Sequence, residues 1–231
     1  MDTIFIDAKY NKEIRLDESV LKTLKKYKKI ALFASVQFLN LENVKEQLKD
    51  HKLIVSKPDR TNATHQLLGC DVFHENLKLP EEPDAFLYIG DGLFHPRALL
   101  LASDKPVIQF DPMDNSHKIL TRKDIKEILK KYKGSLMKFL SSRYIGIFIT
   151  VKPGQQQFLF SKKLEEKYPN KDFYYFVGNN FDASQTENYS FIQAWINTAC
   201  PRISLDDSVN YSFPMVNIND ALEAEEVLKK L

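Results

Sequence analysis

Short apolar runs alternate along the chain with longer amphipathic stretches, the pattern of parallel strands joined by crossover helices. Strands are expected at residues 3–6, 29–33, 52–55, 85–89 and 106–110. Between them, 19–27, 41–49 and 95–102 carry apolar side chains at helical spacing. Over 122–140, Ile125, Ile128, Leu129, Tyr132, Leu136 and Leu140 fall on one helical face, predicting a long helix that bridges two units. The scheme then repeats: strand 145–151, helix 156–167, strand 173–177, a short helix near Glu187, strands 194–197 and 214–216, and a closing helix over 220–230. The expected fold is α/β, with two similar domains, residues 1–120 and 121–231, each a small parallel β-sheet flanked by helices.

Composition narrows the function classes. At 231 residues and 43% hydrophobic, the chain has enough apolar surface for a packed core. Lysine and arginine total 33 against 31 acidic residues, so a net charge of +2 gives no electrostatic case for nucleic acid. No apolar stretch approaches the ~20 residues of a membrane-spanning helix. The first residues, Met1 and Asp2 onward, mix both charges without an apolar core, so a cytoplasmic protein is expected rather than a secreted one. Cys70 and Cys200 are the only cysteines. In a reducing compartment they are expected to be free or metal-bound rather than joined.

Ligands of open parallel sheets collect beyond the carboxyl ends of strands, so the loops there carry the candidate chemistry. After strand 85–89, Gly90-Asp91-Gly92-Leu93-Phe94-His95-Pro96 presents an acid, an imidazole and a ring on a flexible backbone, although an ordinary strand-to-helix turn reads the same way. After strand 145–151, Lys152-Pro153-Gly154-Gln155 places a cation and amides where a helix opens. That suits a carboxylate or another anion, and an ordinary helix start remains open. Cys200 follows strand 194–197 directly, with Pro201 stopping the strand. Cys70 lies in a loop before strand 85–89. On spacing alone, each cysteine reads first as a small buried apolar residue, because neither belongs to a CxxC pair.

In chain order, Val36-Gln37, Leu68-Gly69-Cys70-Asp71, the Gly90 to Pro96 loop, Lys105-Pro106-Val107 with Asp111-Pro112, Lys152-Pro153-Gly154-Gln155 and the Trp195 to Ser204 segment resemble the diphthamide synthases. These enzymes make 2-(3-amino-3-carboxypropyl)histidine on translation elongation factor 2. The resemblance covers nearly the whole chain. It implies three related α/β domains around one [4Fe-4S] cluster, with one cysteine from each domain. The open iron would bind S-adenosylmethionine, whose cleavage gives a 3-amino-3-carboxypropyl radical that adds to the target histidine.

This chain resembles the family's second domain (1–120, Cys70) and third domain (121–231, Cys200), while the first is missing. A naturally short or split gene is therefore expected, with another chain in a hetero- or homo-oligomer supplying the missing domain and third cysteine. The resemblance implies Cys70 and Cys200 as metal ligands. Gln37, His95, Lys152, Gln155 and Asp206 fall in the motif loops as candidate contacts to the carboxylate, amine or ribose of S-adenosylmethionine, with Lys152 the natural carboxylate partner. His95 also reads as a replacement metal ligand, as a group orienting the target imidazole, or as a local hydrogen-bond cap. His65 and His74 flank Cys70 and read as makers of structural hydrogen bonds. Two other readings are a non-catalytic partner that supports a complete synthase, and an α/β small-molecule binder without a cluster.

Overall fold

The computed structural model describes residues 8–152, 155 and 157–231, so the expected strand at 3–6 and residues Pro153, Gly154 and Gln156 lie outside the described residues. Two compact units divide the chain, Met1–Ile125 and Lys126–Leu231.

In the first unit, Asp17 accepts a hydrogen bond from the Val20 amide and so starts α1, Glu18–Leu24. There follow β1, Lys29–Ala34; α2, Glu42–Gln47; and β2, Lys52–Ile54. Next come β3, Ala85–Ile89; α3, Phe94–Ala102; β4, Val107–Asp111; and β5, Ser116–Leu120. The sheet runs β2-β1-β3-β4-β5. All of β3 and all but the first residue of β1 are buried, which explains why both read as continuous apolar runs. Val20 and Leu24 of α1 and Val44 of α2 close the core over Ile30, Leu32 and Leu87.

One strand departs from the expected all-parallel sheet: β5 pairs antiparallel with β4. Only Leu120 is buried in β5, so the segment carries no apolar alternation to betray it. The chain reverses at Asn115, whose φ of 57° is the left-handed conformation that asparagine tolerates better than most residues.

The second unit begins with α4, Lys126–Ser141, so the long helix belongs to this unit rather than bridging two. Residues 122–125 form a separate 3-10 turn. Then come β6, Tyr144–Thr150; α5, Phe158–Ser161; α6, Lys163–Lys167; and β7, Asp172–Gly178. The last elements are β8, Ala194–Asn197; β9, Met215–Asn217; α7, Ile218–Leu222; and α8, Ala224–Lys230. Both the helix expected at 156–167 and the closing helix are broken into two short pieces. The parallel sheet runs β7-β6-β8-β9. Gly146 of β6 leaves room for the buried Trp195 ring of β8, since a Cβ there would lie 2.7 Å from that ring. Among the described residues, both sheets therefore place their strands second, first, third, fourth, and the first adds β5. Among the described residues, no helix is long and apolar enough to cross a membrane.

Candidate functional site

With this strand order, the carboxyl ends of the first and third described strands of each unit are where ligands of open α/β sheets are expected. In the first unit these are β1 and β3. Residues after β2 return to the end of β1: the Ala34 amide donates to the His65 carbonyl at 2.7 Å, and the Leu67 amide donates to the Ala34 carbonyl at 2.9 Å. His65 is buried, its Nδ1 2.9 Å from the Leu32 carbonyl oxygen, and burial lowers its pKa. It makes a structural contact. His74 lies instead in an exposed pair with Glu82.

From that anchored run the chain enters the turn carrying Cys70. The Asp71 amide donates to the Leu68 carbonyl at 3.1 Å, and the Leu68 amide donates to Asp71 Oδ2 at 2.8 Å, fixing Gly69 and Cys70 between them. Asp71 is fully buried, and burial pushes its carboxyl above the usual range. Cys70 is half-buried, with Arg60 Nη1 3.6 Å from its sulfur. Phe94, at the start of α3, packs on Gly69 so closely that a Cβ there would lie 1.9 Å from the ring. His95 is half-buried, stacked on Tyr88 with ring centroids 6.0 Å apart, and edge-on to Phe94. The structure thus brings the loops bearing Cys70 and His95 together. Gln37 sits in the 3-10 turn after β1, half-buried, its carbonyl accepting from the Tyr10 amide at 2.9 Å.

In the second unit the corresponding strands are β6 and β8. Lys152 is exposed just beyond β6, where its amide donates to Thr150 Oγ1 and its carbonyl accepts from the Gln155 amide. Gln155 is half-buried. Cys200, also half-buried, follows β8. Its carbonyl accepts from Asn197 Nδ2 at 2.8 Å, and Asn197 Oδ1 accepts from the Ala199 amide at 2.9 Å. Asp206 forms an ion pair with Arg202, whose side chain is 3% exposed. One carboxylate oxygen of Asp206 is therefore engaged within the protein.

Sequence reasoning passed over Arg60, Tyr88, Asn197, Asn217 and Tyr132. Asn197 lay inside a motif already singled out, yet its role depends on Asn217, twenty positions away. Among the described residues, no three His, Cys, Asp or Glu side chains converge as a metal-binding group. Each unit offers one half-buried thiol at a strand end, a donor suited to iron but not a full ligand set.

The family model described as "Putative diphthamide synthesis protein" matches residues 1–230. The chain is 26% identical over 213 residues to the 2-(3-amino-3-carboxypropyl)histidine synthase of Pyrococcus horikoshii, an alignment covering 89% of this chain and 60% of that protein. It is 27% identical over 238 residues to subunit 1 of the 2-(3-amino-3-carboxypropyl)histidine synthase of Schizosaccharomyces pombe, covering 97% of this chain and 53% of that one. The chain thus spans a little over half the length of these relatives. The crystal structure of Dph2 from Pyrococcus horikoshii with a 4Fe-4S cluster superposes with a TM-score of 0.72 at 23% identity, covering 92% of this chain and 60% of that one. At that identity the likeness shows a shared fold.

Proposed function

We propose, on the premise that the chain belongs to the diphthamide synthesis family, that it is a subunit of a 2-(3-amino-3-carboxypropyl)histidine synthase. The complete enzyme transfers the 3-amino-3-carboxypropyl group of S-adenosylmethionine to a histidine of translation elongation factor 2 in the cytoplasm. The observation that carries this reading is one half-buried cysteine at the carboxyl edge of each sheet. The two units stand for the family's middle and C-terminal domains.

Cys70 and Cys200 would hold a [4Fe-4S] cluster together with a third thiolate from another chain. When bound, that cluster supplies the electron that cleaves a sulfonium carbon–sulfur bond of S-adenosylmethionine, while the protein contributes binding and orientation. Arg60 sets a positive charge beside a sulfur that must be anionic to ligate metal. The exposed Lys152 ammonium pairs with the methionine carboxylate, and the Gln37 and Gln155 amides offer donors and acceptors to the rest of the cofactor. His95, stacked on Tyr88, lines the same strand ends as Cys70. Asp206 acts from within its pair with Arg202.

Anaerobic reconstitution with iron and sulfide, with and without a candidate partner chain, tests this function. A complete, stable cluster is expected only with the partner present; the same iron and sulfide content on the isolated chain would count against a ligand supplied in trans. Cys70→Ser and Cys200→Ser should each abolish elongation factor 2 modification in the reconstituted system. Unchanged modification would favour the alternative of a non-catalytic supporting subunit.

A further inference from the structure

Two asparagines end neighbouring strands of the second sheet as register partners, Asn197 on β8 and Asn217 on β9. Their exposures are 1% and 3%. An amide in such a place is costly unless its donors and acceptors are matched. Here they are matched almost entirely by the Cys200 loop. Asn197 Nδ2 donates to the Cys200 carbonyl and to Asn217 Oδ1, at 2.8 and 3.0 Å. Asn197 Oδ1 accepts from the Ala199 amide, and Asn217 Nδ2 donates to the Pro201 carbonyl at 3.2 Å. The residue before the cysteine, the cysteine itself and the residue after it are all held by this one pair.

The pair is itself anchored from the helix behind the sheet. The Asn217 backbone N–H donates to Tyr132 Oη at 2.9 Å, and that buried hydroxyl donates to the Asp220 carboxylate. The chain of contacts thus runs from α7 through α4 to the ends of two strands and on to the loop.

We infer that Asn197 and Asn217, anchored by Tyr132, are positioning residues that set the backbone of Cys200 and hence the direction in which its sulfur is presented. The inference deepens the reading of Cys200 as a metal ligand and rests on it for its consequence. Its physical content, a cysteine backbone held by two buried side-chain amides, is measurable without metal.

Cys70 is the internal control, since it belongs to the other unit. In the metal-free, reduced, full-length chain, alkylation of each thiol by iodoacetamide is followed by peptide mass spectrometry. Asn197→Asp replaces the donor facing the Cys200 carbonyl with a carboxylate oxygen. It should change the Cys200 rate about tenfold while the Cys70 rate stays within about twofold, because lost buried hydrogen bonds act locally. Asn217→Asp and Tyr132→Phe keep side-chain volume and provide the same readout should Asn197→Asp fail to fold. An unchanged Cys200 rate in folded variants, or parallel acceleration of both thiols, overturns the inference. A changed Cys200 rate in these variants, together with normal cluster content in Cys200→Ser of the assembled enzyme, would instead uphold the positioning and remove the ligand role.

Discussion

Asp71 is a carboxyl group buried beside a candidate ligand, and its ionisation carries a sign that can be checked. Burial holds its pKa above the usual value in the folded chain. As pH rises through the ordinary aspartate range, near ~3.9, the unfolded chain therefore loses this proton first. The group's contribution to stability is fullest at low pH and is lost between the ordinary pKa and the raised one. Asp71→Asn keeps an acceptor for the Leu68 amide and has no such loss. Its stability relative to the parent should climb as pH rises above about 4, measured by urea unfolding of the metal-free chain. A constant difference would contradict this. Lys152 makes a simpler case, because its side chain is exposed beyond β6. In the assembled synthase, Lys152→Ala should weaken S-adenosylmethionine binding about tenfold by calorimetry, the scale of a lost charge-assisted hydrogen bond. Unchanged affinity would remove the carboxylate assignment.

Elements show where the chain was legible and where it was not. Strands β1, β3, β6 and β8 announce themselves because they are buried on both faces or follow clear breakers. β5 is silent because an exposed edge strand needs only its turn and its partner. That turn makes a prediction: Asn115→Val should destabilise the first unit by about 1–2 kcal/mol in thermal melts, the cost of a left-handed β-branched residue, while Asn115→Gly stays near neutral. Gly146 shows the opposite kind of restriction, set by a neighbour rather than by φ. Gly146→Ala pushes a methyl into the buried Trp195 ring and should cost about 1–3 kcal/mol, with a matching change in Trp195 fluorescence. The site was partly legible for the same reasons. Cys200 could be placed because it follows an apolar strand and precedes proline. Its asparagine supports could not, because Tyr132 looked like one more ring on an apolar helical face, 85 positions from the Asn217 amide it meets.

At the scale of the molecule, each unit has its own sheet, and the second also has its own long helix. Residues 126–231 expressed alone should therefore melt cooperatively by circular dichroism, since a unit with its own core folds on its own. A broad, featureless transition would show that it depends on the first unit.

The shared strand order has a consequence for ancestry. Cys200 follows the third strand of its unit, whereas Cys70 precedes the third strand of its own and docks beside the first. Aligning the halves strand for strand sets Cys200 against the Gly90 to His95 loop, and sets Cys70 against the stretch between β7 and β8. Descent of both halves from a single ancestral unit therefore requires that cysteines were gained or lost at non-equivalent positions after the unit was copied. A search for a repeated cysteine motif thus passes over this chain even though its strand order repeats.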